Sequence, residues 1–195
     1  MLRLGSTLAA AGLALASLAT PLAAQDFSVE IFGGVTFERD QDYSGVDYPM
    51  DVGDALGVAV YYNGYDSLSP NLSFGLDLFG THSLYIGYPD EYIDTVSLMA
   101  VARYEHAVSQ TLSVYGGAGL GAIWNTYDFP GDRVEDIVPG GQLSIGGVYS
   151  FNDMQAVFLE LRHQRGFDDA SFDDLGGDTQ EYHSTSLLIG YRHSF

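Results

Sequence analysis

The stretch "NLSFGLDLFG", residues 71–80, alternates between two kinds of side chain. Large apolar side chains stand at every second position: Leu72, Phe74, Leu76 and Leu78. The positions between them hold Ser73, Gly75 and Asp77. Successive side chains of a β-strand point to opposite faces, so the stretch predicts a strand with one apolar face and one face that carries a charge. Which of these faces is enclosed decides the fold.

The same period of two recurs along the chain from residue 26 onward. It predicts an all-β domain, because a helix would repeat its apolar residues every three or four positions. Eight strands are expected, over residues 26–38, 55–63, 71–80, 95–105, 111–124, 141–151, 155–164 and 182–195.

The connections between these strands are alternately short and long. The links after the second, fourth and sixth strands are short: residues 64–70, 106–110 and 151–154. The links after the odd-numbered strands are long: residues 38–54, 80–94, 125–139 and 166–181. This alternation is typical of an up-and-down antiparallel barrel whose two rims face different surroundings. An even number of strands puts both chain ends at the rim with short turns.

Two kinds of barrel, with opposite faces enclosed, fit this pattern. A soluble ligand-binding barrel encloses its apolar face, whereas a barrel that crosses a membrane turns that face to lipid and encloses the polar one. Three acidic and three arginine side chains lie opposite the apolar positions of their strands: Glu30, Asp77, Arg103, Glu160, Arg162 and Arg192. This neutral set favours the membrane barrel, because an unpaired buried charge is costly. We expect Glu30 and Arg192 to pair, since barrel closure joins the first and last strands.

The N-terminal residues 1–24 have the pattern of a secretory signal peptide, with Arg3 before an apolar run and small residues at Ala23 and Ala24. The run of about 12 residues is too short for a membrane-spanning helix. Residues 25–195, the predicted barrel domain, hold 26 acidic residues, six Arg and no Lys, a net charge of −20. Nucleic acid is therefore not expected as a partner, because its phosphates require a basic surface.

The C-terminal stretch "LLIGYRHSF", residues 187–195, alternates apolar residues and ends on an aromatic one. It resembles the terminal strand of bacterial outer-membrane β-barrels, although His193 replaces the aromatic or apolar residue usual at its position. With the signal peptide and eight strands, the chain resembles the small OmpA/OmpX-type barrels without a periplasmic peptidoglycan-binding domain. The resemblance implies a monomer in the outer membrane, in contact with lipid and lipopolysaccharide. It also implies that the barrel-assembly machinery reads a signal that includes Tyr191 and Phe195.

Residues 39–51, in the first long connection, have the ligand spacing of a calcium loop, although Pro49 and the lack of flanking helices exclude the EF-hand fold. The side chains that would bind the ion are Asp40, Asp42, Ser44 and Asp51. The four long connections together hold 19 of the 26 acidic residues. Loosely bound Ca²⁺ or Mg²⁺ over all of them is therefore the alternative to one dedicated site, and no other cofactor is expected.

An enzyme is not expected. Some eight-stranded outer-membrane barrels modify lipid A, and the nearest match here is "EYHSTS", residues 181–186. His183 and Ser184 are adjacent and so point to opposite sides of the strand, which leaves Thr185 on the same side as the imidazole. His163, on the preceding strand, is the other candidate base.

A small-solute channel is the remaining alternative. An eight-stranded barrel encloses little more than its own side chains, and Phe32, Phe79 and Phe158 are expected to point inward. The sequence therefore predicts an integral outer-membrane barrel with a plugged lumen and a structural or surface-interaction role. It leaves open which extracellular ligand, if any, the acidic connections bind.

Overall fold

The structure is a computed structural model. It describes residues 27–43, 46–63, 69–129, 132–168, 170–172, 178–180 and 182–195. The predicted signal peptide, residues 1–24, lies outside this part of the chain. Among the described residues, no helix is long and apolar enough to cross a membrane.

The described chain is built from β-strands. In chain order they are β1 (Phe27–Glu38), β2 (Gln41–Tyr43), β3 (Val46–Tyr48), β4 (Gly53–Tyr62), β5 (Leu72–Tyr85), β6 (Tyr88–Ala107), β7 (Leu112–Phe129), β8 (Asp132–Ser150), β9 (Gln155–Gly166), β10 (Ala170–Phe172), β11 (Asp178–Gln180) and β12 (His183–Ser194). Eight of them form a closed antiparallel barrel in the order β1, β12, β9, β8, β7, β6, β5, β4. The predicted all-β, eight-stranded up-and-down barrel is confirmed.

The long connections are of two kinds. The first and fourth carry short hairpins of their own, β2–β3 and β10–β11. In the second, the barrel strands continue as a paired ribbon, with Leu84 opposite Tyr92, until Ile86 and Gly87 turn the chain. Gly87 has a φ of 90°, which glycine adopts without strain. In the third, β7 likewise continues to Phe129 and β8 already begins at Asp132. The strands on both sides of these two connections are therefore longer than the sequence predicted.

The two faces of the wall are sorted as expected for a barrel that crosses a membrane. Many apolar side chains that point outward are more than half exposed, among them Leu76, Leu120, Ile145 and Ile189. The charged side chains on the other face are enclosed, with Glu30, Asp77 and Glu160 fully buried. The inverse, ligand-binding barrel is therefore excluded, because its outward face would be the polar one.

Aromatic side chains ring both ends of the apolar belt. Exposed rings at the short-turn rim are Tyr104, Tyr149, Phe151, Tyr191 and Phe195. Phe37 and Trp124 are exposed near the other rim. Tyr182, which its position near that rim also suggests as a belt residue, is instead buried at 3% exposure. It lies in phase with the inward residues of β12, and its hydroxyl donates to Ser184 Oγ at 2.9 Å.

Candidate functional site

The lumen contains a continuous series of ion pairs in which negative and positive side chains alternate. In order of contact the members are Asp77, Arg162, Glu160, Arg103, Glu30, Arg192 and Glu105. The structure thus brings all six lumen charges expected from the sequence into one cluster. Glu105 is the member that the sequence analysis missed. Its position on the same face of β6 as Arg103, two residues away, was the available signal.

The central pairs cross the barrel from wall to wall. Arg162 Nη2 on β9 lies 2.7 Å from Asp77 Oδ2 on β5, and these strands are diametrically opposite in the barrel order. The Nε atom of the same guanidinium lies 2.8 Å from Glu160 Oε1. Arg103 then continues the series, with Nη2 at 3.6 Å from Glu160 Oε2. Each buried charge therefore has at least one partner of opposite sign, which offsets the cost of removing it from water.

The pair that closes the barrel lies nearest the short-turn rim. Glu30 and Arg192 are direct neighbours in the β1–β12 register, and Arg192 Nε donates to Glu30 Oε1 at 2.7 Å. Arg103 Nη1 donates to the same carboxylate oxygen at 2.6 Å. The other end of Arg192 donates to Glu105 Oε2 at 2.7 Å. Glu30 is thus shared by two arginines from different walls.

Each of the two buried guanidinium groups contacts two aromatic rings. Arg103 Cζ is 4.0 Å from the ring centroid of Tyr61 and 4.3 Å from that of Tyr115. The two phenols also bond to the ion series, since Arg103 Nη2 donates to Tyr61 Oη at 2.9 Å and Tyr115 Oη donates to Glu160 Oε2 at 2.6 Å. Cation–π contact and hydrogen bonding together fix the plane of this guanidinium.

Arg162 instead contacts two phenyl rings, whose centroids lie 6.1 Å apart. Its Cζ lies 4.6 Å from the ring centroid of Phe32 and 4.7 Å from that of Phe79. Glycines make room for this packing. A Cβ on Gly57 would lie 2.3 Å from Phe32 Cε2, and one on Gly190 would lie 2.3 Å from Phe158 Cζ. The inward orientation predicted for Phe32, Phe79 and Phe158 is confirmed by their near-complete burial.

The lumen nearer the long connections holds neutral polar groups. Gln164 Nε2 donates to Ser97 Oγ at 2.9 Å and to Gln142 Oε1 at 3.0 Å. Thr95 Oγ1 donates to Asn125 Oδ1 at 3.1 Å. In the described part of the chain, Gln164 Oε1 and Asn125 Nδ2 are buried without a hydrogen-bond partner. Two atoms of the ionic half, Arg103 Nε and Arg192 Nη2, are likewise buried without a partner among the described residues.

Glu38 lies at the long-connection mouth of the lumen, one residue beyond Phe37 of the aromatic belt. Residues 27–37 are already enough to span the hydrocarbon layer, which places Glu38 outside it. Loss of hydration at this half-buried position raises the pKa of Glu38 to about 7. The hydrogen bond from Thr81 Oγ1, at 3.0 Å, opposes the shift, and the nearby Asp94 carboxylate adds to it.

The predicted calcium ligands are only partly within the described residues. Asp40 Oδ1 accepts a hydrogen bond from the Met50 backbone at 3.0 Å, and Asp51 Oδ1 accepts one from the Val52 backbone at 2.7 Å. The Asp42 side chain and the whole of Ser44 lie outside that part of the chain. Over the residues that are described, no group of three His, Cys, Asp or Glu side chains could hold a metal ion. The calcium site stays a prediction.

The residues of the lipid A enzyme hypothesis do not converge. Ser184 is buried on the lumen side of β12, while Thr185 lies on the outward side. His163 Nδ1 is 3.0 Å from Thr185 Oγ1, and its ring lies 6.0 Å from that of His183. The imidazoles and the serine hydroxyl therefore lie on opposite faces of the wall, and Glu181 lies outside the described residues.

The two residues expected in the assembly signal lie at the short-turn rim, where both rings are exposed. The Phe195 backbone donates to the Phe27 carbonyl at 2.9 Å, so the end of the chain is fixed beside the start of β1. The His193 ring packs against the Phe195 ring at a centroid distance of 4.7 Å. Tyr191 lies on the same outward face of β12, four residues before the C-terminus.

Comparison with known proteins identifies the fold. No protein-family model and no curated sequence matches the chain. Among solved structures, Neisserial surface protein A matches with a TM-score of 0.63 at 17% identity, over 87% of this chain and 97% of that one. OprG from Pseudomonas aeruginosa gives 0.53 at 16% identity, over 87% and 96%, and Ail from Yersinia pestis gives 0.54 at 11% identity, over 87% and 98%. The chain has the fold of the small eight-stranded outer-membrane β-barrels.

Proposed function

We propose that this chain is a monomeric integral outer-membrane protein that does not conduct solutes and acts through its four long connections. The observation that carries the first part is the ion series, which spans the lumen from β5 to β9 and from β6 to β1. An eight-stranded barrel has room for little beyond its side chains, and here that room holds two guanidinium groups, each in contact with two aromatic rings.

Planar-bilayer recording tests the closed lumen. The wild-type barrel should give no steady conductance. The double variant Asp77→Ala/Arg162→Ala should conduct, because it removes a wall-to-wall pair without leaving either charge alone. Leu159→Ala, an outward change on the same strand as Arg162, is the matched control and should stay silent. Steady wild-type conductance equal to that of the double variant would favour the channel instead.

The acidic outer connections support a surface-interaction role with a cationic partner or with divalent cations. One structure of Ail holds the heparin analogue sucrose octasulfate. Here, by contrast, 19 of 26 acidic residues lie in the four connections, and they would repel a polysulfate. Ca²⁺ or Mg²⁺ would reduce this repulsion, including that between the rim and lipopolysaccharide phosphates. Thermal unfolding in millimolar Ca²⁺ and in chelator tests this role, and identical melting would remove it.

The absence of catalysis is part of the proposal. What supports it is the separation of Ser184 from His163 and His183 by the barrel wall. The lipid A of cells that overproduce the protein should have an unchanged mass spectrum. A new deacylated or acylated species that disappears in His163→Ala would overturn this part.

Recognition by the barrel-assembly machinery rests on the terminal strand. The exposed rings of Tyr191 and Phe195 form part of the outward face of β12, so they are accessible before β1 and β12 close the barrel. Deletion of Phe195 should lower the amount of folded protein in the outer membrane more than Phe27→Ala does. Equal amounts would argue against a terminal signal.

A further inference from the structure

The few positive charges outside the lumen are concentrated in one sector of the outer wall. Of the six arginines in residues 25–195, three belong to the ion series and Arg133 lies near the tip of β8. The remaining two, Arg39 and Arg165, lie near the ends of β1 and β9, on either side of β12. The Arg39 backbone donates to the His183 carbonyl at 3.2 Å, and His183 is the register neighbour of Arg165. These residues therefore form a row across three strands.

A groove in the lipid-facing wall begins at this sector. It has a volume of about 850 Å³, and both His163 and Arg165 contribute to its lining. The strand register shows its course, because directly paired residues follow one another across five strands. The row runs from His163 on β9 through Leu143, Ala118 and Ala102 to Phe74 on β5.

Small residues make this row concave. Ala118 and Ala102 lie between the larger Leu143 and Phe74, and the next row adds Gly141. A Cβ on Gly141 would lie 2.8 Å from Phe167 Cζ, so the Phe167 ring packs over this glycine at the head of the groove. Apart from His163 and Arg165, the outward side chains of the lining are apolar; the lining also includes Gln142, whose side chain points into the lumen.

The course of the groove suits an acyl chain. His163 lies near the long-connection end of β9, whereas Phe74 lies near the short-turn end of β5, so the groove descends across the apolar belt. Four strand spacings give it a length of about 19 Å, close to the depth of about 15 Å of one leaflet. The cationic row lies at the level of the outer aromatic belt, where lipid phosphates are found.

We infer that this groove binds one acyl chain of lipid A, with a lipid A phosphate held by Arg165 and by the imidazole of His163. The inference rests on the proposed outer-membrane location. Charge complementarity selects the occupant: the rest of the rim is acidic and repels a phosphate, and an arginine on the lipid-facing wall is stabilised by an interfacial anion. A guanidinium can bind two phosphate oxygens at once.

Native mass spectrometry of the folded protein with purified bisphosphorylated lipid A tests the inference. The wild type should retain one lipid A, and dephosphorylated lipid A should bind at least about tenfold more weakly, as expected for loss of a charge-assisted contact. Arg165→Gln should weaken lipid A binding to a similar extent. Arg133→Gln removes the same charge away from the groove and should have no effect.

Filling the groove gives an independent variant. Ala118→Phe should reduce retention of lipid A, whereas Ala122→Phe, on the same strand and face but outside the lining, should not. The inference is overturned if Arg165→Gln or Ala118→Phe binds lipid A as the wild type does, or if dephosphorylated lipid A binds equally well. Heat-modifiable gel migration reports the folded membrane barrel separately, so that result can stand while lipid A binding fails.

Discussion

The two halves of the lumen solve the same packing problem in different ways. The half nearer the short turns is ionic. Each carboxylate of the ion series lies no more than 3.6 Å from an arginine nitrogen. The other half is built from amides and hydroxyls. Among the described residues both halves keep buried atoms without a hydrogen-bond partner: Arg103 Nε and Arg192 Nη2 in the ionic half, Gln164 Oε1 and Asn125 Nδ2 in the neutral half. The two halves therefore differ in charge and not in how completely their polar atoms are paired. The difference indicates that the ionic half carries most of the specificity of the closed barrel. Charges tolerate misplacement far less than neutral groups do.

The largest expected effect comes from breaking the ionic half at its centre. Arg162→Leu leaves Asp77 without its bidentate partner. It leaves Glu160 with one arginine contact, at 3.6 Å, beside its hydrogen bond from Tyr115. The free energy of unfolding should fall by about 3–5 kcal/mol, the range for an uncompensated buried charge. Urea titration in detergent micelles measures this loss. Leu159→Ile, a volume-conserving change on the same strand, is the control. If it costs as much, the ion pair is not the cause.

A smaller effect is expected where β1 and β12 close the barrel. In a double-mutant cycle, Glu30→Gln and Arg192→Gln should show a coupling energy of about 1–3 kcal/mol, because each change removes the 2.7 Å contact. The coupling should be less than complete, since Arg103 also bonds to Glu30. Unfolding free energies of the four proteins give the value. Strictly additive losses would show that the closing pair contributes nothing of its own.

Removal of a neutral side chain should cost still less. Gln164→Leu loses two hydrogen bonds but also removes the unpartnered Oε1 atom, so a loss of about 1 kcal/mol or less is expected. The measurement is the same urea titration. A loss equal to that of Arg162→Leu would erase the contrast between the two halves.

An effect of similar size to that of Gln164→Leu concerns pH at the mouth of the lumen. The folded pKa of Glu38 is about 7, above its ordinary value of 4.5, so the stability linked to its protonated form is present below pH 4.5 and is lost as the pH rises to 7. The loss should be about 1 kcal/mol, because solvent screens a half-buried group. Glu38→Gln should flatten stability over this interval. Parallel profiles for the two proteins would assign the pH dependence elsewhere.

The sequence predicted the members of the ion series better than their partners. The period of two places Glu30, Asp77 and Arg103 on the inward face of their strands, and that assignment needs no knowledge of the fold beyond a sheet. It cannot show that Asp77 contacts Arg162, because the two residues are 85 positions apart and meet across the lumen. That contact depends on the stagger of eight tilted strands when the sheet closes.

Two features of the wall needed the structure for the same reason. The place of Tyr182 along its strand suggests the outer belt, but its phase with Ser184 turns the side chain inward. The groove between β5 and β9 combines residues from five strands, so no single stretch of sequence signals it. Alanine and glycine in a strand look alike on either face until the register shows which of them are adjacent.

By itself, the sequence determined that the chain is an eight-stranded barrel with apolar residues outward and a neutral set of charges within. Side-chain alternation is a local property of the extended backbone, so short stretches reveal it. Only the tertiary structure decided which charges pair, which aromatic rings contact the arginines and where the outer wall is concave. These depend on register and curvature, which are set when all eight strands close into one cylinder.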